Sequence, residues 1–492
     1  MAASPQTRRF PASILFAAAL CATLGACVSV QVPKLPGGDL PAHWRNGWAS
    51  PKLGPEPDLT GWWKQFHDPE LNGLVEQALH DNLDVQQAVW KLRAARALED
   101  ASAATFRPHL GFNTIEQPNP ENTASYFQAG FDATWEFGLF GRADANGHLA
   151  AANTGAAEAD LQSARVSLVA EVVREYLQLR AAQRSATLLA VAKQAAETKA
   201  SSLEVLKDLQ LATSLEVTQA AAASAKPAAQ LADSQAAIVQ HAQALALLLG
   251  KSEPNPAWLL APKPLPKLVA ENVNSVPANL LRTRPEIRYA ESQVLKAAGE
   301  LGIAKADLYP RLALGSSLTF AALVKGQTHL GDLNNTFAIG PVISIPLFNW
   351  GELHAVRNAR DDQLQAALAG YRQAVLQGAA EVETDLAALH ASNQGVYSAD
   401  AIAASTQRVV AATEKLQDLE QADSQQLADA RVVWVESEVD LEHARLAQGL
   451  AYVALYKALG GAPLPQADAG CPAPSDQGGD STRSAAHGAC GE

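Results

Sequence analysis

The chain has 492 residues, with 38 Lys and Arg against 51 Asp and Glu, so its net charge is −13. This negative charge argues against a nucleic-acid-binding protein, which needs a basic surface to contact phosphates. Hydrophobic residues make up 48% of the chain, which excludes full disorder, while the Gly and Cys contents exclude a collagen and a disulfide scaffold. Abundant Ala favours long, closely packed helices.

The N-terminus has the pattern of a targeting segment. Arg8 and Arg9 precede the apolar run 10–20, which is shorter than the roughly 20 residues of a membrane-spanning helix and fits a secretory signal. Small residues at 25–26 precede Cys27, as in a bacterial lipobox. We therefore predict a lipoprotein signal peptide over 1–26 and a covalent lipid on Cys27. The alternative is an ordinary signal peptide with an incidental Cys.

The C-terminal end has a different composition from the rest of the chain. Residues 462–492 are rich in Gly, Pro and Ser, and they contain Cys471 and Cys490. This composition predicts a disordered tail. Whether the two cysteines pair stays open at this point.

The body of the chain matches itself at an offset of 210 residues. Residues 130–250 align with 340–460 without a gap. Matched pairs include Gly130 and Gly340, Gly141 and Gly351, Asp208 and Asp418, Ala220 and Ala430, and Gly250 and Gly460. The gap-free register predicts a tandem structural repeat, with a period much longer than that of solenoid repeats.

Each half begins with a helix that a proline ends. The first predicted helix runs from Glu70 to about Thr105, and the second from Pro285 to about Asp307. Pro108 and Pro310 follow them, and proline does not continue a helix.

Two strands are predicted after each of these helices. Residues 126–137 alternate strictly between two faces, which is the period of a β-strand. One face carries Phe127, Ala129, Phe131, Ala133, Trp135 and Phe137; the other carries Gln128, Asp132, Thr134 and Glu136. The predicted strands span about 108–116, 125–137, 311–324 and 336–348, with polar loops over 117–125 and 325–335.

Very long helices follow the strands. The first stretch runs from about Leu139 to Leu209, breaks near 210–214 and resumes to Leu249; the second covers Asn349 to Leu459. Seventy helical residues extend about 105 Å. Helices of this length predict antiparallel coiled-coil packing rather than a small globular domain.

The strands suggest a membrane pore. Strands survive in lipid only as closed barrels, and about eight strands are needed to close one. Four strands per chain therefore require oligomerisation, and three copies supply 3 × 4 = 12 strands. Gln128, Asp132, Thr134 and Glu136 would then face a water-filled lumen. A half-buried soluble sheet is the alternative interpretation.

Several ordered motifs resemble the TolC-like outer-membrane efflux factor family, in its lipoprotein branch that serves resistance–nodulation–division pumps. They are the segments 62–71, 96–108, 135–142, 284–287, 309–310, 345–348 and 454–461. The resemblance covers about residues 40–462. It implies a mainly helical α+β fold, with an outer-membrane β-barrel on a long periplasmic α-helical barrel.

The resemblance also implies the organisation of the chain and its partners. The segments are 27–66 (N-terminal equatorial), 67–253 (first efflux-protein repeat), 254–283 (equatorial linker) and 284–461 (second repeat). The implied assembly is a homotrimer, anchored by lipid in the Gram-negative outer membrane and extending into the periplasm. Its partners would be a periplasmic adaptor protein and an inner-membrane pump, with no nucleic acid. The implied function is a passive exit channel for small molecules.

The resemblance places functional residues at the periplasmic tip. Asp429 occupies the acidic position of the family's gate, and Asp423 and Glu216 are further gate candidates. Gln210 and Glu420 stand where the family has the turn glycine, at the tip that docks the adaptor. Glycine normally supplies a positive φ, so this departure bears on the tip geometry. Charges at helix N-termini are the simpler reading of Asp423, Asp429 and Glu216.

Enzyme motifs are absent from the sequence. It has no His-Glu-x-x-His, Gly-x-Ser-x-Gly, phosphate-binding Gly-rich loop or Cys-x-x-Cys. We therefore predict no catalytic residue, no metal site and no cofactor other than the lipid on Cys27. Two alternatives remain: the outer-membrane channel of a type I protein-secretion system, and a structural periplasmic lipoprotein without a pore.

Overall fold

The computed structural model describes residues 59–117, 125–260, 262–268, 284–325, 329–330 and 334–462. The predicted signal peptide, Cys27, and the tail with Cys471 and Cys490 lie outside these ranges. The described chain is mainly helical. Its helices are α1 (Pro69–Asp81), α2 (Leu83–Ala104), α3 (Arg142–Asp208), α4 (Ser214–Leu248), α5 (Pro256–Leu260), α6 (Pro285–Ala306), α7 (Trp350–Asp418) and α8 (Ser424–Ala458), with a 3₁₀ helix at Trp62–Phe66.

The first predicted helix is two helices, so its prediction as one element was wrong. Asn82 adopts an extended backbone conformation and separates α1 from α2. Its Oδ1 accepts hydrogen bonds from the backbone N–H groups of Asp84 and Val85, each at 3.0 Å, and its Nδ2 donates to the carbonyl of Leu248 at 3.0 Å. Asn82 thus caps α2 and ties the break to the end of α4.

The strands form one antiparallel sheet. They are β1 (His109–Gln117), β2 (Ser125–Glu136), β3 (Arg311–Lys325), β4 (His329–Leu330) and β5 (Asn334–Ser344). β1 pairs with β2, β2 with β3, and β3 with both β4 and β5. The two-residue strand β4 lies in the predicted loop 325–335. The predicted strand 336–348 ends earlier, at Ser344, because its partner strand β3 begins at Arg311, opposite Ser344.

Two long helical hairpins make up most of the chain. α3 has 67 residues and α7 has 69, and each returns through a 35-residue helix, α4 or α8. α3 packs against α4, α6 and α8, and α7 packs against α6 and α8. The order helix, two long strands, long helix and returning helix occurs in both halves. None of the helices within the described ranges is both long and apolar enough to cross a membrane.

The main hydrophobic core joins the first and last segments of the chain that the structure describes. Trp62 is fully buried; its ring stacks on Tyr456 at 5.4 Å, and its indole N–H donates to the carbonyl of Gly461 at 3.0 Å. A Cβ atom at Gly461 would lie 2.9 Å from the Trp62 ring, so this close approach requires glycine. The core fixes the 3₁₀ helix at Trp62–Phe66 and the end of α8 against α3.

Candidate channel surface and periplasmic tip

The strand register places the predicted apolar residues on one face of the sheet. Phe112 lies opposite Phe131, Phe131 opposite Leu318, and Leu318 opposite Phe337. The rings of Phe112 and Phe131 are 5.1 Å apart. The predicted alternation is therefore confirmed in the described part of the sheet, and the three Phe side chains are exposed in the isolated chain.

The opposite face carries the residues predicted to face a lumen. Gln128, Asp132, Thr134 and Glu136 all lie on this face. Asp132 accepts a hydrogen bond from the Asn113 side chain at 2.9 Å. The neighbouring strand β3 contributes mostly small residues here, namely Ala313, Gly315, Ser317, Thr319 and Ala321. The β2 and β3 part of this face therefore carries small or polar side chains, while Ile115 on β1 and Val342 on β5 add apolar side chains at its sides.

Glu136 differs from the other three because it belongs to an ion-pair chain. Its carboxylate pairs with Arg142 at 3.2 Å, Arg142 pairs with Asp307, and Asp307 pairs with Arg311 at 2.6 Å. These residues lie at the end of β2, the start of α3, just after α6 and the start of β3. The chain of charges therefore joins the base of the sheet to the helices, a role that sequence spacing did not reveal.

The two tip turns have the same geometry despite lacking glycine. Gln210 has φ 61° and Glu420 has φ 59°, both in the left-handed region. In the first turn the N–H of Leu211 donates to the carbonyl of Leu206, and in the second the N–H of Gln421 donates to that of Leu416, each at 2.8 Å. These bonds form a Schellman motif, which requires a positive φ at the residue before. Gln210 and Glu420 thus adopt the positive φ that glycine would normally supply.

Glu216 and Asp423 are helix-capping residues in the structure. Glu216 forms a capping box with Thr213 at the start of α4, and Asp423 forms one with Gln426 at the start of α8. Hydrogen bonds from the backbone and side chain of Thr213 lower the pKa of Glu216. Both carboxylates have a structural role here that their family position alone does not indicate.

Asp429 lies in the second turn of α8 and not at its cap. Both of its carboxylate oxygens accept from Lys199 Nζ on α3, at 2.6 and 2.7 Å. The pair borders a groove of about 370 Å³ between α3, α4 and α8, which also includes Glu216. Among the predicted gate residues, the structure thus brings Asp429 and Glu216 to one groove.

A buried ionic cluster at the linker was missed by the sequence analysis. Arg180, only 1% exposed, pairs with Glu70 at 2.8 Å and lies over the ring of Tyr176 at 4.7 Å. Glu70 also accepts from Lys263 at 2.6 Å and from the Trp258 indole at 3.1 Å. Burial raises the pKa of Glu70, but the Lys263 hydrogen bond and the Arg180 charge outweigh it and lower the pKa overall.

The described ranges contain no cluster of three or more His, Cys, Asp or Glu residues that could hold a metal ion.

A single sheet with one apolar face, set on helices about 100 Å long, is typical of an outer-membrane channel with a periplasmic tunnel. The family model described as outer membrane efflux protein matches residues 74–251 and 276–461. The chain belongs to this family.

Two relatives and two solved structures support the same conclusion. The chain is 28% identical to the pyoverdine export outer membrane protein OpmQ of Pseudomonas aeruginosa, over 90% of this chain and 95% of that protein. It is 27% identical to outer membrane protein OprJ of the same species, over 92% and 96%. The outer-membrane channel OprN superposes with a TM-score of 0.75 at 30% identity, covering 88% and 98%. The open-state channel MtrE of Neisseria gonorrhoeae shares the fold, with a TM-score of 0.74 at 23% identity, covering 88% and 98%.

The protein is therefore an outer-membrane channel of an efflux system, located in the outer membrane of a Gram-negative cell. Its family is one of conduits and not of enzymes.

Proposed function

We propose that the chain forms a homotrimeric channel-tunnel, the exit duct through which a tripartite pump exports small molecules. The observation that carries this proposal is the open, four-stranded antiparallel sheet formed by β1, β2, β3 and β5. In lipid, the unpaired N–H and C=O groups at its edges each cost several kcal/mol. A closed barrel removes that cost.

The two free edges are suited to pair with each other. β1 lies at one edge, and β5, with β4 in line beyond it, lies at the other. Because each neighbouring pair is antiparallel, β5 runs opposite to β1, so β5 of one copy can extend the sheet antiparallel to β1 of the next. Three copies give 12 long strands, above the roughly eight needed for closure.

The closed barrel has a direct consequence for the two sheet faces. Its apolar face turns to lipid, and Gln128, Asp132 and Thr134 line the water-filled lumen. Glu136 lies at the lumen's periplasmic end, where its pair with Arg142 holds it at the junction with the tunnel.

The periplasmic end carries the proposed gate and docking sites. Three copies bring three Asp429 side chains to the narrow end of the tunnel, and Glu216 and Asp423 add negative charge beside it. The Lys199–Asp429 pair links α3 to α8 within one copy and so limits how far α8 moves outward. Gln210 and Glu420, at the outermost turns, are the proposed contacts of the adaptor protein, which connects to the inner-membrane pump.

The proposed lipid anchor is Cys27, which would attach each copy to the membrane independently of the barrel.

The relatives' names mention different cargoes: pyoverdine, toluene and solvents. This variety supports a conduit whose cargo is selected elsewhere, in the pump.

Planar-bilayer recording of the purified protein, with its mass in detergent, tests the proposal. We expect a trimer mass and stable single-channel conductance. A monomer that retains its strand content, or a trimer without conductance, would instead indicate a structural lipoprotein without a pore. Mass spectrometry of the mature N-terminus tests the lipid on Cys27; an unmodified N-terminus at another residue would exclude it.

A further inference from the structure

Three buried polar groups lie close to the point where the described part of the chain ends. They are the Nε and Nη1 atoms of Arg165, the Oε1 atom of Gln162 and the indole nitrogen of Trp63. None of them has a hydrogen-bond partner within the residues that the structure describes. Buried polar groups in folded proteins are nearly always hydrogen-bonded, so this cluster calls for a partner from outside the described ranges.

The contact between Gln162 and Ala462 shows which segment leaves the described structure beside this cluster. The Gln162 side-chain N–H donates to the carbonyl of Ala462, the last described residue, at 3.4 Å. Arg165 lies three positions further along α3, so it neighbours Gln162 on the same helix face, with the two Cβ atoms about 5–6 Å apart. Residues 463–492 therefore start next to Arg165.

Arg165 needs a carboxylate rather than just any acceptor. Its guanidinium is half-buried, and burial lowers its pKa, which means that the charge is poorly compensated. Its neighbours three and four positions away on α3 include no acid; they are Leu161, Gln162, Leu168 and Val169. Glu158, two turns away on the same face, already pairs with Arg96 on α2 at 3.1 Å.

Trp63 adds an unpaired donor to the same region. It is only 3% exposed, and its ring lies 6.0 Å from the ring of Trp62. The Trp62 indole N–H reaches the carbonyl of Gly461, so the neighbouring indole lies close to the path of the chain after Gly461. A backbone carbonyl from the following residues would supply the acceptor that Trp63 lacks.

The residues after Ala462 match these requirements. Residues 463–468 read Pro-Leu-Pro-Gln-Ala-Asp. Proline has a carbonyl but no N–H, so this segment offers more acceptors than donors. Each proline also fixes its own φ and keeps the preceding residue extended, so less conformational entropy is lost when the segment docks.

Asp468 is the first acidic residue after Ala462 and lies six residues beyond it. Six residues span at most about 20 Å, which is well beyond the single helical turn that separates Gln162 from Arg165. The Asp468 carboxylate can therefore reach the Arg165 guanidinium.

We propose that residues 463–468 dock on α3 beside Ala462, with the Asp468 carboxylate paired to Arg165. Backbone carbonyls of the segment accept from Trp63, and one of its N–H groups donates to Gln162. The docked segment completes the core that holds the 3₁₀ helix at Trp62–Phe66 and the end of α8 against α3. This contact goes beyond the proposed function, since it does not depend on the barrel or on the pore.

Digestion of the purified, reduced protein in detergent with an aspartate-specific endoproteinase tests this contact. The protease cuts before Asp, so Asp476 and Asp480 provide reference cuts in the same part of the chain. We expect the 467–468 bond to be cut about tenfold more slowly than the 475–476 bond, because the docked segment must open before it is cleaved. Timed mass spectrometry of the released fragments measures both rates.

Substitutions of Arg165 show whether the ion pair causes this protection. Arg165→Met should raise the rate at 467–468 about fivefold and leave the rate at 475–476 unchanged. Arg165→Lys keeps the charge and should retain part of the protection. The matched control is Arg96→Met, which removes the partner of Glu158 beside the same helix and should change neither rate.

Three results would overturn the inference. Equal rates at 467–468 and 475–476 in the unchanged protein would mean that Asp468 is as accessible as Asp476. A slow cut at 467–468 that Arg165→Met leaves unchanged would mean that nearness to the folded core protects the bond. Loss of trimer in Arg165→Met, with the protection unchanged, would mean that a second copy supplies the carboxylate. None of these results bears on channel conductance, so the proposed function is tested separately.

Discussion

The buried pair of Glu70 and Arg180 predicts that the linker opens when Glu70 loses its charge. In Glu70→Gln, Arg180 keeps Gln183 as a hydrogen-bond partner at 2.8 Å but has no carboxylate. Removing one partner of a buried ion pair lowers the free energy of unfolding by about 3–5 kcal/mol. Glu70 itself is 27% exposed, so we expect the lower end, about 3 kcal/mol.

This cost is relieved when the linker lifts and water reaches Arg180. Trp258 and Lys263 lose their contacts with residue 70 at the same time. The linker offers a readout, because trypsin cleaves after Lys267 but not after Lys263, which precedes a proline. If the open population controls cleavage, 3 kcal/mol corresponds to roughly 100-fold faster cutting.

Timed trypsin digestion with mass spectrometry of the 267–268 cut measures this. Glu197→Gln, which breaks the exposed pair with Lys193, is the control and should change the rate less than about threefold. The double variant Glu70→Gln/Arg180→Met should recover most of the protection, because no charge is left buried. Equal rates in Glu70→Gln and Glu197→Gln would refute the reasoning.

Three further predictions concern single residues. Asp429→Ala should weaken block by multivalent cations and lower cation preference in single-channel recordings, with trimer stability little changed; identical block would leave Asp429 only as the partner of Lys199. Gln210→Gly should stabilise the protein by about 1 kcal/mol in denaturant titration, because glycine adopts the positive φ without strain; a loss of stability would show that the Gln side chain supports the turn. Burial, and then the nearby Glu381 charge, raises the pKa of Asp385 to about 6 against the opposing effect of Arg284. A carboxyl group whose pKa is raised on folding lowers the stability of the folded protein as the pH rises from about 4 to 6. Asp385→Asn removes this group, so it should stabilise the protein at pH 7 by about 1–2 kcal/mol, after allowance for the partial exposure of Asp385. At pH 4 the same substitution should change stability little. An equal effect at both pH values would contradict the titration.

The periodic parts of the fold could be predicted from the sequence. The alternation around Phe131 and Asp132 gave the two faces of β2, because a strand's side chains must alternate. The break at Asn82 was missed because the residues around it continue a helical pattern, and the side chain that caps α2 is held by Leu248, far along the chain. The extra strand β4 has only two residues, too few for any period to be detected.

The side-chain partners at the site could not be predicted in the same way. Lys199 and Asp429 are 230 residues apart, and Glu70 and Arg180 are 110 apart. Such pairs depend on how the long helices pack, which local patterns do not specify. The resemblance to the family indicated where Asp429 lies along α8, but it did not indicate that Lys199 is its ion-pair partner.

The unlike edges of the sheet have a genetic consequence. Under the proposed closure, each copy offers β5 to one neighbour and receives β1 from the other, so contacts are head-to-tail and the ring closes only if every copy has both edges intact. A copy with one damaged edge, for example a proline introduced in the middle of β1, still joins through its intact edge but leaves a gap in the wall. In a cell making equal amounts of intact and damaged copies, random mixing leaves only about one-eighth of three-membered rings without a damaged copy. A lesion in an edge strand would thus behave as a dominant mutation, whereas a lesion that prevents folding altogether would be recessive.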